Sequence, residues 1–116
     1  MADDAARITK ELADCSERLT LAIEEYADSC REAANKRSDY DVAWAKSLLK
    51  SQLKTVAERE SEAVIVCESA MRDARIAESM RDALRERIRA LSAILNSIQT
   101  RASFLKEEMR LTDRRY

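Results

Sequence analysis

The chain has 116 residues, 21 basic and 22 acidic side chains for a formal net charge of −1, and no glycine, proline or histidine. That length holds one domain rather than two with separate cores. Charged residues at 37% against 4% aromatics, with no helix breaker, select long helices and exclude a sheet core, which draws on Val, Ile and aromatics.

From Ile8 the apolar positions recur as Ile8, Leu12, Cys15, Leu19, Ala22 and Tyr26. After one extra four-residue step they continue as Cys30, Ala33, Arg37, Tyr40, Trp44 and Ser47, with Arg37 and Ser47 the weak members. Steps of four and three mark a helix packed lengthwise against another helix. The spacing predicts a first helix over about 4–51, roughly 70 Å at 1.5 Å per residue.

The pattern lapses over Ser51–Lys54, and Thr55-Val56-Ala57-Glu58 then reads as a capping box. In such a box the Thr55 side chain accepts from the Glu58 backbone while Glu58 reaches back to Thr55. A short second helix is expected over about 56–68, with Val56, Ala63, Val64 and Cys67 on its apolar side and Ser69 available as a new N-cap. Nothing at that junction forces a stop, so a continuous second and third helix is the alternative.

The third helix, expected over about 70–111, carries Ala70, Ala74, Ala77, Arg81, Leu84, Ile88, Leu91, Leu95, Ile98, Ala102, Leu105 and Met109 in unbroken four-three steps. A thinner second stripe runs through Ile76, Met80, Ala83, Ala90, Ile94, Ser97 and Phe104, turned by roughly 100° about the axis. One partner helix cannot cover both. Residues 1 to 34 hold nine acids against four bases, and residues 69 to 116 hold eleven bases against seven acids. This asymmetry favours helices one and three lying antiparallel.

The expected fold is therefore all-α: a single helical domain over 1–116, built as a long antiparallel helical hairpin or coiled-coil bundle with a short intervening helix. The seam would be carried by Leu12, Leu19, Tyr26, Trp44, Leu84, Ile88, Leu91, Leu95, Ile98 and Leu105. A homodimer or higher oligomer is expected to cover the leftover stripe.

Met1 is followed by Asp3 and Asp4 rather than by a basic and then apolar leader, and the longest uncharged stretch, Ala90–Thr100, is too short to cross a bilayer. The expectation is no signal peptide, no membrane partner and a cytoplasmic location. Cys15, Cys30 and Cys67 form no CxxC pair and are odd in number, which suits reduced core thiols rather than disulfides or a zinc site.

Without histidine the commonest general base and metal ligand is missing, and without glycine no phosphate-cradling loop can form. The acids in Glu24-Glu25, Glu58-Glu60-Glu62 and Glu107-Glu108 are mostly spread around their helices and read as solvated surface. Cys67 sits in Val64-Ile65-Val66-Cys67 with no adjacent base, so packing is the better reading than nucleophile. No enzyme activity, cofactor, metal or small-molecule substrate is expected.

Arg72, Arg75, Arg85, Arg87, Arg89, Arg101, Lys106, Arg110, Arg114 and Arg115 offer a track for a phosphate backbone. Of these, Arg72, Arg75, Arg85, Arg89, Arg101 and Lys106 are the candidate contacts to single-stranded DNA. The acidic first arm and the net charge of −1 oppose that reading through internal salt bridging. Tyr40 and Trp44, one turn apart, have the residue types that stack on bases, but they also continue the seam, where burial is the simpler role.

Asp39-Tyr40-Asp41-Val42-Ala43-Trp44-Ala45-Lys46, then Thr55-Val56-Ala57-Glu58-Arg59-Glu60, an Arg-rich middle and the closing Glu107-Glu108-Met109 resemble a group of small, all-helical phage proteins encoded near recombination and single-strand-annealing genes. The resemblance covers residues 36 to 111, and the Thr55–Glu60 run is its most distinctive element. Val64-Ile65-Val66-Cys67 departs from the more polar, Thr- and Glu-rich hinge of that group. The resemblance implies a phage or prophage origin, a host-cytoplasmic location and an accessory role in DNA recombination or replication, with no catalytic residues.

The function expected from these readings is that of a non-catalytic phage accessory protein that binds a recombination or replication protein, or single-stranded DNA. The alternatives are a phage-encoded inhibitor of a host defence protein, which would act by occupying a surface, and a purely structural coiled-coil assembly protein.

Overall fold

The computed structural model describes residues 2–115, with side chains described for residues 3–113. It is all-α: helix α1 spans Ala2–Lys50, α2 spans Val56–Val66 and α3 spans Glu68–Arg115. The side chains of Arg114 and Arg115, counted above among the third helix's cations, lie outside those described. Asp3 and Asp4 in the first turn of α1 and Lys50 in its last oppose the helix dipole at both ends.

No described residue has a positive φ, so the chain leaves α1 without the left-handed residue that usually caps a helix. Side chains do the work instead. The Leu53 N–H donates to Ser51 Oγ at 3.2 Å, the Ser51 hydroxyl donates to the Glu62 carboxylate at 2.6 Å, and Arg59 Nε donates to the Leu53 carbonyl at 2.6 Å. Thr55 is extended (φ −99°, ψ 154°) and its side chain accepts the Glu58 N–H at 3.1 Å. This is the Thr55 half of the capping box, and it fixes the start of α2 at Val56.

The α2 to α3 junction differs from the expectation. The break falls at Cys67 (φ −98°, ψ 11°), so α2 ends at Val66, and Ser69 lies inside α3 rather than capping it. The interruption is slight. Cys67 N–H donates to the Ala63 carbonyl and the Cys67 carbonyl accepts from Met71, each at 2.9 Å, so helical bonding runs through the bend.

The chain divides into two compact units. In the described residues of Met1–Glu24 with Arg85–Tyr116, the first half of α1 lies antiparallel to the second half of α3: Glu11 meets Arg101 at 2.6 Å, and the Cys15 thiol donates to the Leu91 carbonyl at 3.6 Å. Cys15, Ala22 and Ile98 are buried there. A thiol reaching the main chain of the facing helix shows how closely small residues let the two backbones approach.

In Glu25–Leu84, the second half of α1 again lies antiparallel to α3, and α2 completes the packing. The buried residues are Ala33, Ala63, Cys67, Ala74 and Ala77. Arg37, a weak seam member by sequence, is explained here: its guanidinium spans to Glu78 of α3 at 2.6 Å and lies over the Tyr40 ring, 5.5 Å from its centre. A polar residue on the seam thus becomes a cross-helix pair at its edge.

No polar or charged residue is buried among those described. No helix of the described residues is long and apolar enough to cross a membrane.

Candidate functional site

The seam residues are sheltered to different degrees. In the unit of Met1–Glu24 and Arg85–Tyr116, Ile98 is buried, while Leu12, Leu19, Ile88, Leu91, Leu95 and Leu105 are half-buried. In Glu25–Leu84, Tyr26, Trp44 and Leu84 are half-buried. The alternation has a physical cause: Ala and Cys occupy the line of closest approach, and larger side chains must straddle it with one flank in water. Met109, also placed on the seam by its spacing, is exposed.

The main correction concerns α2. Val56 and Val64, expected on its apolar side with Ala63 and Cys67, are exposed, Val56 at 70%. An eleven-residue helix presents only three turns. Ala63 and Cys67 take the one buried line, and Val56, Val64, Ile65 and Val66 stay more than half exposed.

Leu49 (86% exposed), Leu53, Ile65 (75%) and Val66 are exposed as well. None of these four stands on the seam or on the expected apolar side of α2, so their exposure agrees with the spacing. A groove of about 500 Å³ lined by Leu53, Ala57, Glu58, Ser61, Glu62 and Ile65 runs along α2 within this unit. Scattered exposed apolar residues are ordinary, and on α2 it is the groove that brings Leu53, Ala57 and Ile65 together that marks a candidate interaction surface.

The second stripe of α3 is also uncovered. Ile76 and Met80 in one unit, and Ile94 and Phe104 in the other, are each more than half exposed. One antiparallel neighbour shelters only the first stripe, as the offset between the two requires.

The six candidate cations are all exposed, and several are engaged locally. Arg72 pairs with Glu68 at 2.9 Å, Arg89 with Glu86 at 2.7 Å, and Arg101 with Glu11 at 2.6 Å. Arg85 also has an interaction within the fold, whereas Arg75 and Lys106 make no ion pair among the described residues. The arms therefore neutralise each other less uniformly than their composition suggests: Glu11–Arg101 joins an acidic α1 to a basic α3, while Arg37–Glu78 runs in the opposite sense. Most other pairs lie within one helix, at the i,i+3 or i,i+4 spacings that stabilise it modestly.

Tyr40 and Trp44 are half-buried, with ring centroids 6.1 Å apart and planes tilted by 48°, an aromatic pair on the α1 side of the seam. All three cysteines are free; Cys15 and Cys67 are buried and Cys30 is half-buried. Among the described residues no three Cys, Asp or Glu side chains gather where they could hold a metal ion.

No known protein family, curated protein or solved structure matches this chain.

Proposed function

We propose that this chain is a non-catalytic accessory protein that works by binding another protein through the uncovered apolar surface of α2 and the adjoining end of α1. The observation that carries this reading is the groove beside α2 in which exposed Leu53 and Ile65 lie with Ala57, with Leu49, Val56 and Val66 exposed in the same unit. Burying such side chains against a partner is worth about 25 cal/mol per Å² of apolar surface before the costs of association. Glu58 and Glu62 beside the groove would add selectivity for a partner with basic residues around an apolar contact.

The resemblance to phage proteins encoded near recombination and single-strand-annealing genes supplies the class of partner, a recombination or replication protein. Its most distinctive run, Thr55–Glu60, is the segment that caps α2 and begins the exposed surface. Direct contact with single-stranded DNA is less favoured, because the formal net charge is −1 and acidic side chains stand among the candidate cations, Glu68 beside Arg72, Glu86 beside Arg89 and Glu11 beside Arg101.

The test is affinity purification with the full chain and with a Val56→Glu/Ile65→Glu variant, whose changes fall on exposed positions. Stoichiometric recovery of a recombination or replication protein by the parent chain, lost in the variant, is the expected result. Recovery of a host nuclease instead would replace this reading with inhibition. A salt-dependent shift of labelled single-stranded DNA by the chain alone would replace it with DNA binding.

A further inference from the structure

The unit Glu25–Leu84 carries a second surface, separate from the α2 groove. Ile76 (53% exposed) and Met80 (61%) form an apolar crest on α3. On one side lies a groove of about 530 Å³ along α3 whose charged lining residues are Arg72, Arg75 and Glu68. On the other lies a groove of about 450 Å³ between α1 and α3 that includes Asp28 and Glu32. Met80 lines both grooves and so separates a flank with two arginines and one glutamate, basic on balance, from one whose charged residues are all acidic.

A face with an apolar centre, a positive side and a negative side is complementary to itself. Rotating a second copy by a half turn about an axis through the crest sets crest on crest and lays each basic flank on an acidic one. This is the condition a two-fold interface must satisfy, since each contact has to be made twice by the same patch. We propose that two copies of this chain associate through the Ile76–Met80 crest, with Arg72 and Arg75 of each facing Asp28 and Glu32 of the other.

The present neighbours of these charges do not oppose the exchange. Arg72 is held by Glu68 and Asp28 by Arg31, in pairs that lie on one helix and in water, where such bonds are weak. Glu32 lies 4.0 Å from Lys36, at the limit of an ion pair. Moving these side chains onto a partner lets charge steer the encounter, while the crest supplies the buried area. The proposal does not depend on the α2 partner surface.

Sedimentation velocity on the full chain across a concentration series tests it, with circular dichroism checking that each variant stays helical. The parent chain is expected to dimerise, and Met80→Glu to weaken the dimer at least tenfold. Arg72→Glu/Arg75→Glu and Asp28→Lys/Glu32→Lys are each expected to be monomeric alone and to form a mixed dimer when combined, because the swapped flanks match again in both contacts. Val56→Glu/Ile65→Glu is expected to leave dimerisation unchanged, which separates this surface from the one that binds another protein. A parent chain that stays monomeric at 100-fold the concentration of a binding assay, a Met80→Glu variant that dimerises as the parent does, or failure of the two swapped variants to combine would each overturn the proposal.

Discussion

Ala33 and Ala34 are consecutive on α1, yet Ala33 is 1% exposed and Ala34 is open to water. Replacing each by leucine therefore adds the same atoms, at nearly the same helix propensity, to opposite environments. At Ala33 the added side chain must enter the line of closest approach to α3, whose buried residues in this unit are Ala74 and Ala77. Overpacking of this kind costs about 1–3 kcal/mol, and the upper end applies where the facing residues have no volume to give up. For a chain of 116 residues, an unfolding entropy of about 2.1 cal/mol/K per residue makes each kcal/mol worth about 4 °C. Ala33→Leu should then lower the midpoint by about 8–12 °C, while Ala34→Leu should stay within about 2 °C, as expected for a surface change. Thermal unfolding followed by circular dichroism at fixed protein concentration measures both, and Ala33→Val supplies an intermediate step if the leucine variant does not fold. Equal midpoints for the two leucine variants would refute the claim that small side chains set the helix spacing.

Two further expectations follow from local geometry. Thr55→Ala removes the acceptor for the Glu58 N–H and should cost about 1 kcal/mol, read from the denaturation midpoint in urea, with Thr55→Ser retaining most of the stability. A thiol-reactive dye should label half-buried Cys30 well before buried Cys15 and Cys67, as followed by mass spectrometry of digests; equal rates at the three positions would contradict the packing described for both units.

The lengthwise seam was legible because burial follows its four-three steps closely. Cys15, Ala22, Ala33, Ala74, Ala77 and Ile98 all stand on seam positions and are all buried. What periodicity reports, however, is the direction in which a residue points, not whether anything stands opposite. By pattern Val56 and Val64 share the side of Ala63, but only Ala63 and Cys67 are buried. Arg37 is the converse case: a polar residue where the pattern wants an apolar one, made sense of by Glu78 on α3, far away in sequence. The pairing of acidic and basic grooves around Met80 was not legible at all, since Asp28 and Glu32 come from α1 and meet the α3 crest only after the chain has turned back.

The bend at Cys67 also determines where the chain tolerates a change in length. Hydrogen bonds from the Cys67 N–H to the Ala63 carbonyl and from the Met71 N–H to the Cys67 carbonyl keep the helical count through the bend, so an added residue there would turn every later position of α3 by about 100° and carry the buried stripe out of its seat. Residues 51–55, held by the Ser51, Thr55 and Arg59 side chains rather than by a helical ladder, transmit no such rotation. Insertions in natural variants should therefore gather between α1 and α2 and spare the second junction.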